Sequence, residues 1–169
     1  LVRSRGLGDV YKRQEFTEAF NKMQVAAKED NIDIKIISGY RSYNTQVSTY
    51  NYWTSKYGKA EADKISARPG HSEHQLGLAA DINSLYTSFK DTKEGIWLNN
   101  NAYKYGFILR YPESKTEETG YSFEPWHYRY VGTSLAEKLY NNGDWITLED
   151  YYGITSKYES VSYTHLTLP

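Results

Sequence analysis

The chain has 169 residues, which is enough for one domain with a buried core, and its 39% hydrophobic and 24% charged residues are typical of a globular protein. It contains no cysteine, which excludes disulfides and limits any metal site to histidine, aspartate and glutamate ligands. No apolar run is long enough to cross a bilayer, so we expect no membrane contact by these residues.

The two ends of the chain have related coding sequences. The segment DVYKRQ (9–14) can be back-translated into a short DNA whose reverse complement, read in another frame, encodes VSYTH (161–165). That DNA resembles the transposon end used in sequencing-library preparation. We therefore expect residues 1–14 and 161–169 to be translated adapter, and residues 15–160 to be a fragment of a longer natural protein.

Without these two ends the chain has 16 basic and 20 acidic residues, a formal net charge of −4. Proteins that bind phosphate backbones usually carry a basic surface, which an acidic balance does not favour. The composition therefore gives no support for a nucleic-acid partner. Because the natural N-terminus is expected to be missing, the lack of a signal peptide is uninformative.

Hydrophobic periodicity divides the first half of the chain into helices and short strands. It predicts an amphipathic helix over 16–28, and the alternating run IDIKII predicts a strand over 32–37. A glycine-containing turn then leads into a helix that extends to about Tyr57. Residues 58–72 predict a short helix followed by a Pro-Gly loop, and LGLAADIN (76–83) predicts a strand.

The second half continues this mixture. GIWLNNNAYKYG (95–106) predicts a helix closed by its last glycine, and SLAEKLYNNG (134–143) predicts a final helix of the same kind. FILRY (107–111) and EPWHYRYV (124–131) predict strands, joined by a polar loop over 112–122. Because helices and strands do not alternate regularly, the sequence favours an α+β fold.

Three histidines remain once the ends are set aside, and two of them stand near carboxylates. His74 lies seven residues before Asp81, and His127 lies three residues after Glu124. A mononuclear zinc hydrolase needs three protein ligands, an open water position and a nearby base. These four residues have the right chemistry, although either pair alone is weak evidence. His71 lies in the Pro-Gly loop, where a surface histidine is the better interpretation.

Strand geometry restricts how the second pair can meet. Residues three apart on a strand point to opposite faces. Glu124 and His127 therefore converge only if Pro125 bends the chain or if Glu124 lies just before the strand. The same alternation places Arg129 on the side of His127, where it either borders the site or, as we expect, pairs with an acidic neighbour.

Four segments together point to one family. They are SGYRSYNTQ (38–46), SARPGHSEHQLGLAADI (66–82), YGFILRYPESKTEETGYSFEPWHYRYVG (105–132) and LEDYYG (148–153). In this order and spacing they resemble the VanY-type D-alanyl-D-alanine carboxypeptidases and the related L,D-carboxypeptidases of peptidoglycan. The resemblance runs from the first helix to about Gly153. It implies a D-Ala-D-Ala peptidase or hedgehog-like fold, with a small central antiparallel sheet, flanking helices and a single zinc site.

The resemblance also implies the parts of the metal site. His74, Asp81 and His127 match the zinc ligands of the family, and Glu124 matches its catalytic base. One zinc ion per chain is therefore the expected cofactor. Zinc lowers the pKa of bound water to about 7, and a glutamate can move that water's proton to the leaving amine.

Three further residues match groups that handle the substrate. Arg41, in SGYRS, matches the catalytic arginine that engages the terminal carboxylate or the developing oxyanion. Gln46 and Ser72 match polar groups that line the substrate site. Without the family motif, a surface ion pair would be the better interpretation of Arg41.

These features predict that residues 15–160 form a zinc carboxypeptidase domain that removes the C-terminal D-alanine from peptidoglycan stem peptides, with D-Ala-D-Ala cleavage favoured. L,D-carboxypeptidase action on tetrapeptide stems remains an alternative, as does a peptidoglycan endopeptidase of the same fold. A binding module without turnover is a further alternative, although it would have no need of a base beside the metal. We expect a monomer that acts outside the bacterial membrane, in the cell envelope or secreted.

Overall fold

The computed structural model describes residues 7–154, with side chains from residue 13 onwards. This part of the chain forms seven α-helices and four short strands. The helices are α1 (Leu7–Glu29), α2 (Tyr43–Tyr57), α3 (Lys59–Ile65), α4 (Lys93–Asn101), α5 (Thr116–Thr119), α6 (Thr133–Tyr140) and α7 (Leu148–Tyr152). The strands are β1 (Ile36–Ser38), β2 (Ala79–Ile82), β3 (Phe107–Leu109) and β4 (His127–Tyr130). None of the described helices has the length and apolar character needed to cross a bilayer.

The four strands form one antiparallel sheet in the order β1-β2-β4-β3. β2 and β4 are its central pair, with Asp81 opposite His127 and Ala80 opposite Tyr128. Because side chains alternate between the two faces of a strand, Asp81 and His127 share one face, and Ala80 and Tyr128 share the other. The predicted α+β class, with a small antiparallel sheet and flanking helices, is confirmed.

Helices supply the hydrophobic core on the face that points away from Asp81. The apolar residues of α1 recur at helical spacing and are buried: Phe16, Phe20, Met23 and Ala27. The ring of Phe16 meets that of Phe107 on β3 edge to face, with centroids 5.4 Å apart. Leu98 of α4 and Leu139 of α6 have no exposed surface. This packing fixes the sheet from behind and leaves its other face for polar groups.

The first strand is shorter than predicted, because pairing begins at Ile36 and not at residue 32. Asn83, which has a positive φ of 59°, bridges the preceding segment with its side chain. Its amide oxygen accepts a hydrogen bond from the backbone N–H of Lys35 at 2.8 Å, and its amide nitrogen donates to the carbonyl of Asp33 at 2.7 Å. The backbone N–H of Asn83 also donates to the carbonyl of Lys35 at 3.0 Å, so a side chain and one backbone bond hold this segment, which the alternation of apolar residues does not reveal.

The second strand is also shorter than predicted. Glu73–Leu76 forms a 3-10 turn, and Gly77 ends it in the left-handed region with a φ of 70°. β2 therefore begins at Ala79 and not at residue 76. The consequence for the site is that His74 lies on a turn, while Asp81 lies on a strand.

Toward the C-terminus the predicted order is right but several bounds differ. The helix predicted over 95–106 consists of α4 and a 3-10 segment, and Gly106 ends it with a φ of 85°. A Cβ at Gly106 would lie 2.8 Å from the ring of Tyr130, so only glycine fits there. The predicted loop over 112–122 contains the single turn α5. The sequence did not predict α7, whose first turn is capped by the side chain of Thr147.

The N-terminal helix begins at Leu7, nine residues before its predicted start, so part of the segment interpreted as adapter continues the helix. Residues 1–6 of that segment lie outside the described residues, as does the whole of 161–169. The assignment of the two ends to adapter stays a prediction.

Candidate active site

Three of the predicted site residues converge on the polar face of the sheet. His74 comes from the 3-10 turn, Asp81 from β2 and His127 from β4. All three are buried, and each offers a nitrogen or oxygen atom within 4.8 Å of the other two. We call these three residues the ligand cluster. The structure confirms that a His-Asp-His group able to bind a metal forms here.

The backbone of the SGYRS segment orients His74. The carbonyl of Gly39 lies 2.7 Å from His74 Nδ1, so this nitrogen carries the proton and donates it. In return, the backbone N–H of Arg41 donates to the carbonyl of His74 at 3.1 Å. His74 Nε2 faces the cluster and lies 3.4 Å from Asp81 Oδ2. His74 would therefore bind a metal through Nε2.

His127 faces the cluster with Nδ1, whereas His74 faces it with Nε2. His127 Nδ1 lies 3.0 Å from Asp81 Oδ1, and the two residues stand opposite each other on β2 and β4. His127 Nε2 points away and lies 3.5 Å from Glu73 Oε2. The rings of His74 and His127 meet edge to face, with centroids 4.9 Å apart. The cluster thus combines one Nε2, one Nδ1 and a carboxylate, a donor set that suits zinc.

The charges of the metal-free cluster support the same conclusion. Burial disfavours ionisation of Asp81, but its hydrogen bonds with His127 and His74 outweigh burial and hold its pKa well below the usual range. Burial also disfavours the charged form of His127, but Asp81 and Glu73 outweigh it and raise the pKa of His127 to about 9. A proton on His127 Nδ1 therefore occupies the place that a bound cation would take.

Glu124 reaches the cluster from a turn just before β4. The backbone N–H of His127 donates to the carbonyl of Glu124 at 3.1 Å, and Pro125 is the second residue of this turn. Glu124 Oε2 lies 3.7 Å from His127 Nδ1. Of the two geometries considered for this pair, the structure has Glu124 ahead of the strand. Burial raises the pKa of Glu124 to about 7, a value suited to a group that exchanges protons near neutral pH.

Arg41 lies on another side of the cluster, with Nη2 3.8 Å from Asp81 Oδ2. Ser38 and Gln46 hold its guanidinium: Nη2 donates to Ser38 Oγ at 3.0 Å and Nη1 donates to Gln46 Oε1 at 2.9 Å. One-fifth of the Arg41 side chain is exposed. The predicted arginine therefore stands at the edge of the cluster with a fixed orientation.

Gln46 was predicted to line the substrate site, but its side chain has no exposed surface. Its amide nitrogen donates to the carbonyl of Ala67 at 2.6 Å and to Ser66 Oγ at 3.3 Å, while its oxygen accepts from Arg41. These bonds use its polar atoms within the protein. Gln46 lies behind Arg41 and supports it, because α2 carries Gln46 on its buried side.

The remaining predicted residues fall near the cluster or outside it. Ser72 is buried at the start of the 3-10 turn, and its side chain does not cap that turn. His71 is exposed and is not part of the cluster, in line with its interpretation as a surface histidine. Arg129 Nη1 lies 3.6 Å from Glu73 Oε1, so Arg129 has the acidic neighbour that was expected.

Two acidic residues near the site were not singled out from the sequence. Glu73 faces His127, and Arg110 Nε donates to Glu73 Oε1 at 2.8 Å. Arg110 in turn forms two hydrogen bonds with Glu149 of α7. Two features of the sequence could have pointed to Glu73. It directly precedes the predicted ligand His74, and Arg129, on the side of His127, was expected to have an acidic neighbour. No such feature exists for Glu149, because α7 was not predicted.

Comparison with known proteins assigns the family. The family model VanY, described as D-alanyl-D-alanine carboxypeptidase, matches residues 9–133. The chain belongs to the VanY family. Within it, a D-alanyl-D-alanine carboxypeptidase of Enterococcus faecalis (strain ATCC 700802 / V583) is 46% identical over 135 residues, which are 75% of this chain and 50% of the relative.

Solved structures agree with the VanY assignment. The LdcB LD-carboxypeptidase superposes with a TM-score of 0.77 at 41% identity, over 85% of this chain and 69% of that one. A vancomycin resistance D,D-pentapeptidase VanY from a VanB-type cassette, in complex with Zn(II), superposes with a TM-score of 0.72 at 40% identity, over 81% of each chain. The VanY-family chain spans about half the length, 50–54%, of three curated relatives that it matches.

Zinc binding should release a proton and should therefore be stronger at higher pH. In the metal-free chain His127, with a pKa of about 9, is charged at pH 8, whereas Glu124, with a pKa of about 7, is mostly ionised. A metal must displace the proton from His127 Nδ1. We expect release of at least one proton per zinc at pH 8, and an apparent affinity that rises with pH up to about pH 9. Calorimetry in two buffers of different ionisation enthalpy measures this release; equal heats in both buffers would contradict it.

Proposed function

We propose that this domain is a zinc-dependent carboxypeptidase that removes the C-terminal D-alanine from peptidoglycan stem peptides, with the D-Ala-D-Ala bond as its favoured substrate. The domain acts as a monomer outside the bacterial membrane, where its polymeric substrate lies. Support comes from membership of the VanY family and from the solved relatives, one of which is a D,D-pentapeptidase in complex with Zn(II).

The observation that carries the proposal is the placement of Glu124 and Arg41 beside the ligand cluster. A carboxylate with a pKa raised to about 7 lies 3.7 Å from His127 Nδ1. A guanidinium with a fixed orientation lies 3.8 Å from Asp81 Oδ2. A metal-binding group, a proton acceptor and an anion-binding group therefore face one site, which is what hydrolysis of a C-terminal peptide bond needs.

Each group has a separate part in the reaction. A zinc ion held by His74, Asp81 and His127 would supply Lewis-acid chemistry, polarising the scissile carbonyl and lowering the pKa of bound water to about 7. Glu124 accepts a proton from the attacking water as the new C–O bond forms. It then delivers this proton to the nitrogen of the leaving alanine as the C–N bond breaks. The products are a shortened stem peptide and free D-alanine.

Arg41 gives the reaction its preference for a chain end. A guanidinium has five N–H donors in a planar fork, and Ser38 and Gln46 engage two of them. The others can bind the free carboxylate of a terminal alanine or the developing oxyanion. An endopeptidase has no terminal carboxylate to bind, so the position of Arg41 favours the carboxypeptidase.

L,D-carboxypeptidase action on tetrapeptide stems is a second candidate. The observation in its favour is the similarity to the LdcB LD-carboxypeptidase, whose TM-score of 0.77 is above the 0.72 of the D,D-pentapeptidase. The two activities differ in the residue before the cleaved bond, not in the metal chemistry. The ligand cluster and Glu124 fit both, so the substrate has to be tested directly.

Mass spectrometry of defined stem peptides should identify the reaction. We expect zinc-loaded protein to remove one alanine from a pentapeptide stem ending in D-Ala-D-Ala and to leave the resulting tetrapeptide intact. Loss of alanine from the tetrapeptide alone would assign the L,D activity, and cleavage at an internal bond would assign an endopeptidase. A Glu124→Gln preparation is the control, because any product that it forms at the parent rate comes from a contaminating peptidase.

A further inference from the structure

Two buried polar atoms face each other on the far side of His127. Within the described residues, only three buried side-chain polar atoms have no hydrogen-bond partner: Thr54 Oγ1, Glu73 Oε2 and His127 Nε2. The last two lie 3.5 Å apart. Leaving a buried donor or acceptor unpaired is unfavourable. A shift of a few tenths of an ångström would join this pair, provided that Nε2 carries the proton.

We propose that Glu73 is a positioning residue of the zinc site, which accepts a hydrogen bond from His127 Nε2–H and thereby keeps the lone pair of Nδ1 directed at the metal. A neutral imidazole carries one proton. If that proton is on Nδ1, it points at Asp81 and blocks metal binding, while a bare Nε2 faces a carboxylate. If it is on Nε2, both contacts are favourable. Glu73 thus stabilises the tautomer that binds zinc.

The surroundings of Glu73 leave one oxygen for this purpose. Arg110 Nε donates to Oε1 at 2.8 Å, and Arg129 Nη1 lies 3.6 Å from the same oxygen. Oε2 has no other hydrogen bond and points at His127. The 3-10 turn explains why neighbouring residues serve different ligands, because it directs Glu73 to the outer edge of His127 while His74 enters the cluster.

Arg110 extends this support to the end of the domain. Its Nη1 and Nη2 donate to the two oxygens of Glu149, at 2.8 and 2.5 Å. Arg110 and Glu149 are both buried, so each charge depends on the other for compensation. A continuous series of contacts therefore runs from His127 through Glu73 and Arg110 to α7. This gives the LEDYYG segment, which takes no direct part in the site, a role in holding a metal ligand.

Zinc affinity of Glu73 variants tests the proposal. Glu73→Gln keeps the shape of the side chain but has only one acceptor oxygen, so it cannot satisfy both Arg110 and His127. We expect competition with a chromophoric chelator to show zinc binding weakened by about 10- to 100-fold in Glu73→Gln and in Glu73→Ala. Glu113→Gln is the matched control: Glu113 is an exposed glutamate paired with Lys90, and its variant should bind zinc as the parent does.

A spectroscopic signature separates positioning from a general loss of structure. In the zinc-loaded parent, the ring proton on His127 Nε2 should give a downfield NMR signal because it is bonded to a carboxylate. We expect this signal to move upfield in Glu73→Gln, while the remaining signals keep the dispersion of a folded protein.

Folded Glu73→Gln that binds zinc as tightly as the parent would overturn the proposal, and so would an unchanged signal of the His127 ring proton. If Glu73→Ala does not fold, Glu73→Gln decides. The inference rests on the zinc site of the proposed function but not on its substrate. Failure to cleave stem peptides would therefore leave the zinc measurement, and this test, intact.

Discussion

Replacement of Glu124 by glutamine should lower kcat by about 10²- to 10⁴-fold while zinc stays bound. Glutamine has nearly the same shape but cannot accept the proton of the attacking water or pass it to the leaving amine. The ligand cluster does not include Glu124, so the three metal-binding side chains keep their positions. Steady-state kinetics on the preferred stem peptide, together with elemental analysis of the same preparation, measure both quantities.

The metal content makes this result interpretable. Glu124→Gln with about one zinc per chain and little turnover identifies Glu124 as the base. Parent-like turnover in the zinc-loaded variant would remove Glu124 from that role. Glu113→Gln is a suitable control here too, since Glu113 is exposed and lies outside the site.

Replacement of His74 by alanine should abolish both zinc binding and turnover. The variant loses the Nε2 ligand and leaves two donors, Asp81 and His127, on the sheet. It also leaves the carbonyl of Gly39 without the hydrogen bond that it now accepts at 2.7 Å. We expect zinc to fall from about one ion per chain to nearly none after dialysis, and turnover to become undetectable.

His71 provides the matched control for this experiment. It is a histidine three residues earlier in the same segment, but it is exposed and lies outside the ligand cluster. His71→Ala should therefore retain zinc and turnover at the level of the parent. Full zinc occupancy in folded His74→Ala, or loss of zinc in His71→Ala, would show that the ligand set is wrong.

The sequence was sufficient to predict which side chains form the metal-binding group. His74, Asp81 and His127 were predicted as ligands from their motifs, and the structure brings them within 4.8 Å of one another. Their roles, and those of Glu124 and Arg41, stay predictions until the variants are measured. The family resemblance was specific because four motifs occurred in order. A histidine near a carboxylate, taken alone, would not have been specific evidence for a metal site.

The supporting contacts could not be predicted in the same way. Gln46 matched a substrate-site position, but only the packing of α2 shows that it lies behind Arg41 without exposed surface. Glu73 depends on a 3-10 turn that hydrophobic periodicity does not reveal, and its partner Arg110 is 37 residues away. Interactions over such separations follow from the sheet register, which motifs in a single sequence do not specify.

The register of the central strands has a consequence for how the protein acquires its metal. Asp81 and His127 are 46 residues apart in the chain and come together only when β4 pairs with β2. A slip of one residue would turn His127 to the apolar face and divide the ligands between two sides of the sheet. A ligand that binds only the native state stabilises it by RT ln(1 + [L]/Kd), where [L] is the free ligand concentration. Zinc binding by all three ligands therefore requires the native strand pairing, and zinc supply stabilises this register against slipped alternatives.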